Sequence, residues 1–282
     1  MIRAISFQVA LKFLTILFIL PLLWSCSSGS NDNQTDLNPF DPSIPLDPAL
    51  PIDPDFPNYT VILLEPGADL ENRILSALIT AEQNTVVQLP AGTYDFVGEL
   101  SSSVDNIVLR GTGMDAESGT VLRFDGQTTG AQSLLATGNN FVVQDLAIEN
   151  SPGDAIKVIG TNGVTIRRVR IEWTNGPDEN NGAYGLYPVQ TRNVLIEDCE
   201  VRGASDAGVY VGQSENIIVR RNYVYENVAG IEIENSKFAD VYENNTTGNT
   251  AGILVFDLPG PPIQGGEATR VFDNMMVANN EP

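Results

Sequence analysis

The 282-residue chain contains no histidine and only two cysteines, Cys26 and Cys199. Two thiols build no disulfide framework. With histidine absent, ligands for zinc or copper are scarce. No cofactor is expected, and calcium, which takes oxygen ligands, stays open. Basic residues are also few: 15 Lys+Arg stand against 36 Asp+Glu, a net charge of −21. That excludes nucleic acid as a partner, because a phosphate backbone needs a basic footprint. It disfavours anionic polysaccharide unless metal ions bridge. Excess acid also keeps an exported protein soluble.

What is present begins with an export signal. Residues 1–25 carry Arg3 and Lys12 ahead of the short apolar run "FLTILFILPLL". The following "LWSC" resembles the lipobox of bacterial lipoproteins, although Trp24 stands where a small residue is usual. The resemblance implies lipidation at Cys26, which would anchor the chain to a membrane. Without residues 1–25 the chain has 13 Lys+Arg against 36 Asp+Glu, a net of −23. Residues 26–58 read as a tether. "DPSIPLDPALPIDPDFPN" repeats Asp-Pro at 41–42, 47–48 and 53–54, favouring extended backbone that packs no core. Residues 59–282 are then the folded domain.

That domain opens with a helix. Asp69 is the expected N-cap, and Leu70, Ile74, Leu75 and Leu78 have helical spacing. "TVVQLPAGTYDF" follows as a strand and a turn. Beyond it the chain repeats itself. Val143, Ile166, Ile196, Val219 and Val241 align at spacings of 23, 30, 23 and 22 residues. Phe141, Val164, Val194, Ile217 and Ala239 form an inward column, and Ile156, Leu186, Val209, Ile231 and Ile253 form another on a second strand. Short strands with period-2 alternation, returning about every 22 residues, fit coils of a parallel β-helix stacked at roughly 4.8 Å. The leucine signature of leucine-rich repeats and the 3.6 period of helical repeats are both missing.

Several columns read as scaffold. Cys199, Asn222 and Asn244 share one, with asparagine amides bonding from coil to coil and Cys199 as a buried filler. Asp145, Arg168, Asp198, Arg221 and Glu243 alternate in sign, and Arg167, Glu197 and Arg220 run beside them, an arrangement in which neighbouring strands attract.

The helix followed by "LPAGTY" resembles the N-terminal cap of pectate-lyase-type β-helices. The repeats resemble bacterial β-helix proteins described as carbohydrate-binding or sugar-hydrolysing. Residues 139–280 are similar to an exported, often lipidated family of parallel β-helix repeat proteins of unknown function. The fold implied is all-β: a single-stranded right-handed parallel β-helix, pectin-lyase-like, with a short N-terminal capping α-helix.

The stretch "GAYGLYPVQT", 182–191, carries the sharpest functional question. Its "YGLYPV" resembles the "YGFDPH" of mannuronan epimerases and related lyases. Tyr184, Gly185 and Pro188 match, whereas Tyr187 stands in place of aspartate and Val189 in place of histidine. The resemblance therefore implies the strand without its acid–base chemistry. The outward column of that strand reads Lys157, Tyr187, Tyr210, Glu232 and Leu254. Tyrosine faces beside a lysine and a carboxylate suit a sugar. Two long connections border it: "EWTNGPDENNG", carrying Trp173, Asp178 and Glu179, and "DLPGPPIQGG" at 257–266. The expected substrate-binding residues are Lys157, Tyr187, Tyr210, Glu232 and Trp173.

Three functions stay open. The first is an exported, membrane-tethered protein that binds polysaccharide or another glycan along this groove, in the periplasm or at the outer membrane or cell surface. The second is a polysaccharide lyase, epimerase or hydrolase, with Tyr187, Tyr210, Lys157 or Glu232 moving the proton. The third is a scaffold or partner for another envelope protein. Past the second loop, Val271 realigns with Val241 and Asn274 with Asn244, and the domain is expected to be incomplete at its C-terminus.

Overall fold

The structure, a computed structural model, describes residues 56–280. The export signal, Cys26 and the tether up to residue 55 lie outside the described residues.

The strands stack in two sheets, and every pairing between them is parallel. One sheet has fifteen strands because Phe141–Glu149 and Asn162–Glu172 run unbroken around a corner and join two stacks. The other has seven strands in the order Ala251–Phe256, Ala229–Glu234, Ala207–Gly212, Tyr184–Val189, Asp154–Ile159, Gln132–Ala136 and Leu100–Ser102. The register is the expected one. Ile166 pairs with Val143 and Ile196, and Leu186 pairs with Ile156 and Val209. At the far end Val241 pairs with Val271.

Hydrophobic burial drives this stacking. Val143, Ile166, Ile196, Val219 and Val241 are all fully buried, as are Ile156, Leu186, Val209 and Ile231. Each coil therefore covers the apolar row of the next. The helix Leu70–Thr80 closes the first coil with Leu70, Ile74 and Leu78 inward. Asp69 does not cap it: its Oδ1 accepts from Asn72 Nδ2 at 2.8 Å.

The corners explain the polar columns. Asp145, Arg168, Asp198, Arg221 and Glu243 all sit in the left-handed region, with φ between 49° and 58°. Arginine and glutamate are poor choices there, costing roughly 1–2 kcal/mol each. The stack offsets that cost with ion pairs across coils. Arg168 bonds Asp145 at 2.6 Å, Arg221 bonds Asp198 at 2.8 Å, and Arg220 bonds Glu197 at 2.9 Å. The next corner carries the expected amide ladder. Cys199 N donates to Asn222 Oδ1 at 3.0 Å, Asn222 Nδ2 to Asn244 Oδ1 at 2.9 Å, and Asn244 Nδ2 to Asn274 Oδ1 at 3.0 Å. A second ladder runs through Asn227, Asn249 and Asn279.

Candidate functional site

Period-2 alternation sends every second residue of the seven-stranded sheet outward. On Tyr184–Val189 that is Tyr187, with Leu186 buried beneath; on Ala207–Gly212 it is Tyr210, between buried Val209 and Val211. On Ala229–Glu234 both Glu232 and Glu234 face out, between Ile231 and Ile233. Register sets Lys157 beside Tyr187 and Tyr210 beside Glu232. Four of the five expected site residues thus meet in one lane, as read from the sequence.

The lane is more closed than a stacking groove. Tyr184 joins it from the start of its strand. The centroids of Tyr184, Tyr187 and Tyr210 lie 4.6 Å, 4.6 Å and 5.0 Å apart. The two flanking rings close over Tyr210, which is only 6% exposed. Tyr210 therefore points out of the coil yet is buried, which corrects the expectation of an open outward tyrosine. Its ring lies back along its own strand, over Gly212. A Cβ at Gly212 would come within 2.5 Å of Tyr210 Cε1. This posture lets the Tyr210 hydroxyl donate to Glu234.

Trp173 is a further correction. It is buried at 3% exposure, and its Nε1 donates to the Ser151 carbonyl at 2.7 Å. Gly182 passes so near that a Cβ there would lie 2.9 Å from the indole. Trp173 plugs the core beneath its loop and presents nothing to a ligand.

The polar groups around the rings are strongly conditioned. Lys157 Nζ lies 4.4 Å from the centre of the Tyr187 ring and 3.8 Å from Asp154 Oδ2. Burial holds the Asp154 carboxyl above its ordinary range, with Lys157 opposing. The hydroxyls of Tyr184, Tyr187 and Tyr210 are all pushed up, first by burial and then by nearby carboxylates. Tyr184 is hydrogen-bonded to Asp206. All three are thus donors rather than phenolate bases. Glu232 is pushed up to about 7 by burial, then by the charges of Asp206 and Glu234. The sequence reading matched Tyr184 to the epimerase motif without placing it in the outward column, and it missed Asp154, Asp206 and Glu234 as members of this cluster. Glu234 alone had a plain signal, two residues beyond Glu232 on the same face.

The long connections border the face from opposite sides. The loop 173–183 adjoins the strand starts, where Asn181 Nδ2 donates to the Gly203 carbonyl at 2.7 Å and Ser205 Oγ to the Asn181 carbonyl at 2.8 Å. It walls a cleft of about 820 Å³ with Pro177, Asp178, Glu179, Arg202, Ser205 and Glu226. The loop 257–266 adjoins the strand ends, with Leu258 N on Asn235 Oδ1 at 2.8 Å and Ile263 N on Gln213 Oε1 at 3.3 Å. Among the described residues no group of three or more Cys, Asp or Glu is placed to hold a metal ion.

The family pattern described as a right-handed β-helix region matches residues 111–264. No curated protein matches the chain in sequence. Among solved structures, the A-module of mannuronan C-5 epimerase AlgE6 from Azotobacter vinelandii is similar in fold. It is 20% identical over 74% of this chain and 64% of that one, with a TM-score of 0.50. The AlgE4 A-module of the same organism is 17% identical over 79% of this chain and 75% of that one, also at 0.50. A family 28 exopolygalacturonase of Yersinia enterocolitica is 10% identical over 78% of this chain and 65% of that one, at 0.39. Identities this low show a shared fold, one that carbohydrate-active enzymes use.

Proposed function

We infer, from the premise that the chain belongs to the right-handed β-helix family, that it is a carbohydrate-binding protein of the cell envelope. The observation that carries this is the cluster of Tyr184, Tyr187 and Tyr210 on the outer face of the seven-stranded sheet, with Lys157 on one side and Glu232 on the other. Aromatic faces pack on sugar rings while charged and hydroxyl groups bond their polar edges. The two long loops border this face at the strand starts and at the strand ends. Tyr187, half-buried and outward, is the contact ring; Tyr210 supports it from below. The export signal and the "LWSC" sequence support a lipid on Cys26. The Asp-Pro stretch is then the spacer between that anchor and the binding face.

The three raised tyrosine hydroxyls weigh against lyase and epimerase chemistry, which needs a base able to take a carbon-bound proton. Val189, 4% exposed, occupies the position that holds histidine in the similar epimerase motif. Binding is tested with the purified full chain against immobilised polysaccharides. Tyr187→Ala should weaken the interaction by roughly 1 kcal/mol or more, a typical aromatic contribution. Binding that ignores this substitution would rule out the face.

A further inference from the structure

The loop 173–183 lengthens one coil only. The same corner on the following coils is short, at 203–206, 226–228 and 248–250. The loop therefore stands over those corners, and the cleft of about 820 Å³ is the space between. Its outer wall is held firmly. At the root of the loop Trp173 is buried and bonded to the Ser151 carbonyl. At the far end Asn181 Nδ2 donates to the Gly176 carbonyl at 2.9 Å and to the Gly203 carbonyl at 2.7 Å. Between them Asp178 Oδ1 accepts from Asn180 N at 2.9 Å. A wall fixed in advance leaves little chain for a ligand to order.

The cleft and the tyrosine face share an edge. The loop runs straight into Tyr184, the first residue of its strand. The register partner of Tyr184 is Ala207, and Asp206 just before it bonds Tyr184. The same register places Val228 and Thr250 after Asp206 in one corner column, each directly before a strand of the face. Val228 and Thr250 line the cleft.

We propose that this cleft is a lateral subsite, which takes a side-chain sugar of a branched neutral glycan whose backbone lies on the tyrosine face. The inference rests on the carbohydrate-binding reading and narrows its ligand. Lys157, Tyr187, Tyr210 and Glu232 follow one another on successive coils, so a backbone on them runs along the stack. The cleft opens around the corner from that line. A linear chain passes it by, and only a branch turns in.

The lining suits a sugar unit. Pro177 and Val228, the latter 48% exposed, offer apolar surface to a ring face. The Ser205 and Thr250 hydroxyls and the carboxylates of Asp178, Glu179 and Glu226 offer acceptors to its hydroxyls. The volume lies within the roughly 300–1,000 Å³ of small-molecule sites. Charge decides for a neutral branch. Arg202 is the one basic group in the lining, and it is held by Glu172 at 3.1 Å and Glu226 at 2.7 Å. A uronate or sulfated branch would meet three carboxylates with that cation already engaged.

The test uses the purified full chain with galactomannan, arabinoxylan and xyloglucan, each beside the same polymer stripped of its side chains by enzymes. Wild type should bind one branched polymer at least about tenfold more tightly than its bare backbone. Val228→Trp, which fills the cleft from an exposed position, should abolish that preference and leave backbone binding within about threefold. Glu179→Ala on the exposed loop should reduce the preference in the same direction, and it decides if Val228→Trp fails to fold. Tyr187→Ala should weaken both forms alike. Equal affinity for branched and bare forms, or a preference untouched by the cleft variants, overturns the subsite and leaves the face standing. Binding lost in Val228→Trp but indifferent to Tyr187→Ala overturns the face as well, and so does binding to none of the polymers.

Discussion

The Tyr210 hydroxyl donates to Glu234 on the next coil only because Gly212, two residues along the strand of Tyr210, leaves its ring room to lie flat. Gly212 pairs directly with Glu234, so ring, glycine and carboxylate form one unit. The buried tyrosine is the floor on which Tyr184 and Tyr187 rest.

Gly212→Ala tests that unit. The backbone at 212 accepts alanine, but its Cβ would meet Tyr210 at 2.5 Å. The ring has to lift, breaking its bond to Glu234 and disturbing Tyr187. Overpacking of this kind costs about 1–3 kcal/mol. Chemical denaturation should show that loss, together with weakened glycan binding. An unchanged midpoint would mean that the ring has other space.

The amide ladder gives a sharper stability prediction. Asn244 accepts from Asn222 N at 3.1 Å and Nδ2 at 2.9 Å, and donates to the Val219 carbonyl at 2.9 Å and Asn274 Oδ1 at 3.0 Å. All four bonds vanish in Asn244→Ala, leaving buried partners unsatisfied. A loss of roughly 2–4 kcal/mol is expected from the unpaired groups. Equilibrium unfolding measures it, and a loss under about 1 kcal/mol would contradict a working ladder.

The two cysteines should behave oppositely. Cys199 is buried, with its thiol pushed up to about 12 by burial, and should resist a thiol reagent in the native state. Rapid labelling would contradict the register. Cys26→Ser should move the protein out of the membrane fraction or block its maturation. A wild-type chain of unprocessed mass that fractionates like the variant would remove the lipid anchor.

The inner columns were legible because a β-helix repeats one burial pattern each coil. Val143, Ile166 and Ile196 announce their pairing by spacing alone, and so do Asn222 and Asn244. What escaped were features set by side-chain posture. Trp173 stands in a long polar connection, where a tryptophan reads as a contact ring. The extra residues instead fold so that Gly182 passes beneath the indole and seals it in. Tyr210 has the outward phase expected of it, but phase says nothing of how neighbouring rings lean. Gly212 was the available signal, a missing side chain where an aromatic ring lies down. Asp206 and Asp154 escaped because they sit at strand starts, outside strict alternation. The left-handed φ of Arg168 and Arg221 runs against local preference, and only the stacked partners Asp145 and Asp198 account for it.

Glu232 also leaves a mark on stability that does not depend on any substrate. Its carboxyl titrates near 4.5 when unfolded and near 7 when folded. Between those values the native state holds a proton that the unfolded state has released. The slope of unfolding free energy with pH is then negative. The contribution is full below pH 4.5 and is lost as pH rises through 7, the reverse of an ordinary paired carboxylate. Asp198, Asp95 and Asp115 have lowered values and act with the opposite sign, but in a more acid range. The window from pH 5 to 8 is therefore governed by Glu232, with a smaller share from the raised Asp154. Urea midpoints of wild type should fall across that window, while those of Glu232→Gln should stay nearly level. Parallel curves for the two proteins would show that Glu232 is ionised at neutral pH.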